Sequence, residues 1–122
     1  MKEIQEHLIN LGLETPMLEN NLSSTRKKTA ISKSFAKIMQ TLGLDLTDDS
    51  LMGTPDRVAK MFVDEIFCGL SYDNFPKITT IENKMNVDQM VLCKDISMNS
   101  TCEHHFVVID GFAKVAYIPN TK

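Results

Sequence analysis

The chain lacks most of the features that mark a specialised environment. It has three cysteines, Cys68, Cys93 and Cys102, which cannot all pair with one another and so do not form the disulfide framework of a small secreted domain. No apolar run approaches the ~18 residues needed to cross a bilayer. Basic residues are not in excess: 13 Lys and Arg against 16 Asp and Glu leave a net charge of −3. That balance argues against nonspecific nucleic-acid binding, so any anionic substrate must be met by local positive charge. The opening stretch MKEIQEHLINLG is amphipathic and charged, unlike a secretory signal. A reducing, cytoplasmic setting is expected, in which free thiols serve packing or metal binding. There is no internal repeat and no low-complexity tract, and the 122 residues are enough for one domain (1–122) with a real core.

Hydrophobic periodicity predicts helices first and strands later. Ile4, Leu8 and Leu11 recur at helical spacing, and the stretch around Pro16 breaks the pattern. Ser23, Ser24 and Thr25 offer N-caps for a second helix with an apolar stripe of Ile31, Phe35, Ile38 and Leu42, ended by Gly43. Arg26, Lys27 and Lys28 at its start read as a solvated basic turn. In TPDRVAKMFVDEIFCGL, Thr54 is the expected cap, Pro55 suits the first turn, and Val58, Met61, Phe62 and Ile66 form the apolar face before Gly69. Cys68 reads as a small core residue and Cys93 as a strand packing residue. DQMVLCKDISM and HHFVVIDGFAKVAYIP read as strands over about 88–118, with a turn or bulge at Asp110-Gly111. Helices over 1–70 followed by strands give an α+β class.

The chemistry gathers in NSTCEHHF. Cys102 and His105 form a C-x-x-H pair, two donors that can reach one ion from a single turn, and thiolate with imidazole suits zinc. His104 is left over beside the ion, and an imidazole next to a metal-activated water is a working arrangement for hydrolysis. Glu103 can orient an imidazole or meet a polar substrate group. Zinc needs a third protein ligand; Cys68, Cys93, His7 or a carboxylate are candidates, none at a recognisable spacing. Arg57 and Lys60 share a helix face near a helix start, a favourable place for phosphate, although solvated charges opposite an apolar stripe give the same pattern.

The segments LGLETPM, LDLTDDSLMGTPDRVAKMFVDEIFCGL, NFPKITTIENK and STCEHHFVVIDGFAKVAYIP together resemble GTP cyclohydrolase I, from about Leu11 onward. The resemblance implies a zinc-dependent enzyme that hydrolyses GTP to formate and 7,8-dihydroneopterin triphosphate, the entry step of folate-type and biopterin synthesis. It implies Cys102 and His105 as zinc ligands, His104 as the catalytic histidine, and Arg57 and Lys60 as triphosphate contacts reaching in from a neighbouring subunit. It also implies an antiparallel tunnelling fold assembled as a homodecamer. Family members continue beyond the 122 residues, so the last zinc ligand, a second catalytic histidine and further strands are expected outside them. The fold expected here is thus an incomplete tunnelling fold. A downstream half or full-length subunits are the expected partners. The alternative expectation is a non-catalytic truncated subunit that serves as an oligomerisation or regulatory module.

Overall fold

The computed structural model describes residues 2–121. The contacts gather into two compact units, one ending at Phe75 and one beginning at Pro76. Helices fill the first and a two-stranded antiparallel sheet the second, in keeping with the α+β class and a partial tunnelling fold. No helix among the described residues is long and apolar enough to cross a membrane.

Helix α1 (Lys2–Asn10) and helix α2 (Ser24–Thr41) both end in the same device. At α2, the Gly43 N–H reaches the Gln40 carbonyl at 3.0 Å and the Leu44 N–H reaches the Met39 carbonyl at 3.1 Å. This is a Schellman closure, and it requires the left-handed φ of +81° that Gly43 adopts. Around Gly12, the Gly12-to-Ile9 and Leu13-to-Leu8 bonds repeat it. Ser23 caps α2 as expected, its hydroxyl accepting from the Arg26 N–H.

The predicted stripe of α2 holds in its first half, where Ile31 and Phe35 are half-buried, and the fold departs from it in the second. Met39 is 3% exposed, whereas Ile38 and Leu42 are 51% and 72% exposed. Lys28, Ser32, Phe35 and Met39 follow one another at helical spacing, and the first two make specific bonds on that face. Lys28 Nζ pairs with Asp64 at 2.7 Å, and the Ser32 hydroxyl donates to Asp56 at 2.6 Å. These bonds lie on the side of α2 that meets helix α3 (Thr54–Met61) and the turn after it. Lys28 is therefore an ion-pair partner, not part of a freely solvated basic turn.

The cap of helix α3 lies one residue earlier than expected. Gly53 holds the cap position without a side-chain bond, Thr54 is already helical, and Pro55 sits in the first turn. Its buried residues are Pro55 and Ala59, while Val58 and Phe62 are half-buried and Met61 is exposed. From Phe62 to Ile66 the helix widens to a π turn, closed by the Phe67 N–H on the Phe62 carbonyl at 2.9 Å. The two rings meet edge to face at 5.5 Å. Two short 3₁₀ turns follow, Cys68–Leu70 and Tyr72–Asn74. Cys68 is half-buried and donates its thiol to the Glu65 carbonyl at 3.1 Å. The Tyr72 hydroxyl bonds Glu14, tying this end of the unit to the segment after α1.

In the second unit, strand β1 (Val91–Thr101) pairs antiparallel with strand β2 (Val108–Tyr117). The bulge lies on β1 and not at Asp110-Gly111, which pair in register with Asn99 and Met98. Cys93 faces Val115 and Ile96 faces Ala113, so Lys94 and Asp95 together oppose Lys114. Asp95 supplies the left-handed backbone at φ +59°, a conformation that Asp tolerates through its short polar side chain. Cys93 is exposed beside this bulge, so its expected packing role is not seen. Asn83 ties the approach to β1 to the chain after β2: its side-chain amide donates to the Val87 and Asn120 carbonyls at 2.9 and 3.0 Å.

Candidate functional site

The connection between β1 and β2 carries the predicted chemistry. It leaves the ladder at the Thr101–Val108 pair and runs through six residues. Two backbone bonds close it: the Cys102 N–H on the Val107 carbonyl at 2.9 Å and the Phe106 N–H on the Cys102 carbonyl at 2.8 Å. Phe106 completes the turn at φ +56°, a left-handed conformation costing a bulky residue roughly 1–2 kcal/mol. Strain of this kind is held where surrounding bonds over-determine the backbone.

The turn brings Cys102, His104 and His105 together. The Cys102 Sγ lies 3.8 Å from His105 Nδ1 and 3.9 Å from His104 Nδ1. The imidazole rings are 6.4 Å apart and tilted by 57°. The His105 side chain is the main cause of a lowered Cys102 thiol pKa, about 7, followed by the backbone N–H groups of His105 and His104 and then the His104 ring. A thiol so placed is available as thiolate near neutral pH, the form a metal binds. Glu103 Oε1 is 3.9 Å from His104 Nε2, across an exposed edge, too far for a direct hydrogen bond.

The donor chemistry of this turn fits zinc, a thiolate and imidazole being its usual partners. No group of three or more His, Cys, Asp or Glu able to hold a metal occurs among the described residues. The other named candidates for a third ligand belong to other elements. His7 is exposed near the end of α1, Cys68 is bonded to a carbonyl beyond α3, and Cys93 is exposed at the bulge.

Arg57 and Lys60 belong to the first unit, both exposed on α3. Arg57 is not a free charge. Its Nη2 donates to the Ser50 carbonyl at 3.0 Å and lies 3.3 Å from the Thr54 hydroxyl. The guanidinium lies over Gly53, where an added Cβ would stand 3.5 Å from Cζ. The segment that receives it is itself bonded into turns. Asp48 accepts from the Ser50 N–H and hydroxyl, and Asp45 accepts from the same groups of Thr47. In both cases the side-chain hydroxyl is the larger cause, and the backbone N–H the lesser, of a carboxyl pKa below the usual range. Sequence reading missed this cradle. The Thr54 and Arg57 spacing of three on a helix was its one legible signal; the Ser50 carbonyl carried none.

A family model described as GTP cyclohydrolase I matches residues 31–122. The chain is 62% identical over 111 residues to GTP cyclohydrolase 1 of Aeromonas salmonicida (strain A449), covering 91% of this chain and 51% of that protein. With GTP cyclohydrolase 1 of Vibrio campbellii it shares 61% identity over 121 residues, 99% of this chain and 56% of the relative. The corresponding Yersinia enterocolitica protein is 60% identical over 116 residues, 95% of this chain and 53% of the relative. The chain thus spans about half the length of the curated relatives it matches.

Proposed function

This chain belongs to the GTP cyclohydrolase I family, and from that premise we propose that it carries part of the machinery that hydrolyses GTP to formate and 7,8-dihydroneopterin triphosphate, the entry to folate-type and biopterin synthesis. The observation that carries this reading is the gathering of Cys102, His104 and His105 on one closed turn, with the thiol sulfur within 4 Å of both rings.

Cys102 and His105 are the proposed zinc ligands, and a third is proposed from outside the described residues. When bound, zinc would bring the pKa of a water down toward neutrality and so supply the nucleophile for the purine C8. His104 is the proposed proton carrier: an imidazole can protonate the ring nitrogen as its bond to C8 breaks. Arg57 and Lys60 supply charge-assisted donors to the triphosphate oxygens. The local positive charge that a net acidic chain needs for an anionic substrate thus resides on α3.

The test measures formate release from GTP with zinc present. The 122-residue chain is assayed alone and together with the C-terminal half of the Vibrio campbellii relative. Activity is expected in the mixture, and His104→Ala is expected to reduce it by about 10²–10⁴-fold, the usual contribution of a positioned acid or base. An equal rate from the His104→Ala mixture would remove the proposed role.

A second reading is favoured by the sheet. Leu92, Met98, Val108, Ile109, Phe112 and Val115 are all exposed on a two-stranded ribbon, and apolar surface of this kind marks contact with other protein. On that observation the second reading makes the chain a non-catalytic oligomerisation or regulatory module that joins full-length subunits in a homo-oligomer. Mixing it with an intact relative and measuring mass decides the point, since failure to co-assemble excludes the module.

A further inference from the structure

We propose that Thr54 is a positioning residue for Arg57, and that together with the Ser50 carbonyl it aims the guanidinium at the triphosphate. The inference deepens the function proposed above and rests on it for the identity of the ligand.

The geometry begins at Nη2. This nitrogen carries two protons, and the structure gives it two oxygen partners: the Ser50 carbonyl at 3.0 Å and the Thr54 hydroxyl at 3.3 Å. The two oxygens can take both protons of Nη2, while Nε and Nη1 make no hydrogen bond to protein among the described residues. Gly53 leaves room for the group, because no side chain stands between its Cα and the guanidinium. The Ser50 carbonyl is a fixed acceptor because Asp48 holds the Ser50 N–H and hydroxyl at 2.9 and 2.5 Å. Thr54 is a fixed acceptor because it lies within the first turn of α3, where its N–H bonds the Leu51 carbonyl at 2.9 Å.

A long arginine side chain has many rotamers to lose when it is fixed. A guanidinium already held before the ligand arrives loses less of that freedom on binding, so the same contacts give a higher affinity. Lys60, one turn along the same helix, has no comparable cradle among the hydrogen bonds of the described residues.

Two measurements separate positioning from ligand identity, both on the full 122-residue chain. The first is nitrogen NMR of the Arg57 guanidinium without ligand. Rotation about the Cζ–Nη2 bond is expected to be slow in the wild type and in Thr54→Ser, which keeps the hydroxyl, and fast in the isosteric Thr54→Val. Equal rates in all three would overturn the positioning. The second is calorimetric binding of inorganic tripolyphosphate. Thr54→Val is expected to weaken it about fivefold, the value of one modest hydrogen bond, and to have no effect in an Arg57→Ala background. An equal loss in both backgrounds would make Thr54 merely structural and overturn the inference. Slow rotation in the wild type with no affinity loss in Arg57→Ala would keep the cradle and overturn the triphosphate assignment.

Discussion

At the scale of single residues, the Cys102 turn makes two predictions. The thiolate is the reactive form and the thiol is held at about 7, so alkylation of metal-free Cys102 by iodoacetamide is expected to rise with pH through about 7. A midpoint at the ordinary 9.0 would contradict the contacts with His105 and His104. For metal, a thiol pKa lowered to about 7 leaves about half of the sulfur as thiolate at neutral pH, against a small fraction at the ordinary 9.0, and uptake falls as acid protonates it. In equilibrium dialysis with zinc at neutral pH, Cys102→Ala or His105→Ala is expected to cost at least about 100-fold, since losing even an outer partner of a ligand costs about 10–100-fold. Unchanged affinity in both variants would remove the metal assignment. This part of the site was legible because it is local. Four consecutive residues, Cys102 to His105, make the pattern, and the turn that closes on them needs only neighbouring backbone.

The elements were legible in kind and less so in facing. Sequence periodicity found α2, but apolar counting chose Ile38 and Leu42 for its inner side, while the fold buries Met39. The bonds on that inner side, Lys28 to Asp64 and Ser32 to Asp56, join residues far apart in sequence and leave no periodic trace. Arg57 and the Ser50 carbonyl are hidden for a similar reason, because a backbone oxygen has no letter in the sequence. The corrected stripe predicts that Met39→Ala destabilises the helical unit by about 2–3 kcal/mol in urea unfolding, whereas Ile38→Ala costs well under about 1 kcal/mol. The reverse order would restore the periodicity reading. At the end of α2, Gly43→Ala meets no neighbouring atom but must keep φ near +81°. Its cost is therefore backbone alone, about 1 kcal/mol on the same unfolding measurement.

At the scale of the whole molecule, burial is unevenly shared. Met39, Pro55 and Ala59 are the fully buried residues among those described, and all three lie in the helical unit. The sheet has none, so it is expected to bind a hydrophobic dye such as ANS and to lose that signal when full-length subunits are added. Persistent dye binding in a measured co-assembly would mean that the ribbon is not what other subunits cover. The bulge on β1 adds a consequence for chain length. From Val91 to Cys93 the paired residue numbers sum to 208, and from Ile96 to Thr101 they sum to 209. Removing one residue at Lys94 or Asp95 would merge the two registers without disturbing either set of partners. Shortening the strand anywhere nearer its far end would drag the histidine turn off its anchoring pair, so natural size variants should be tolerated at that single notch.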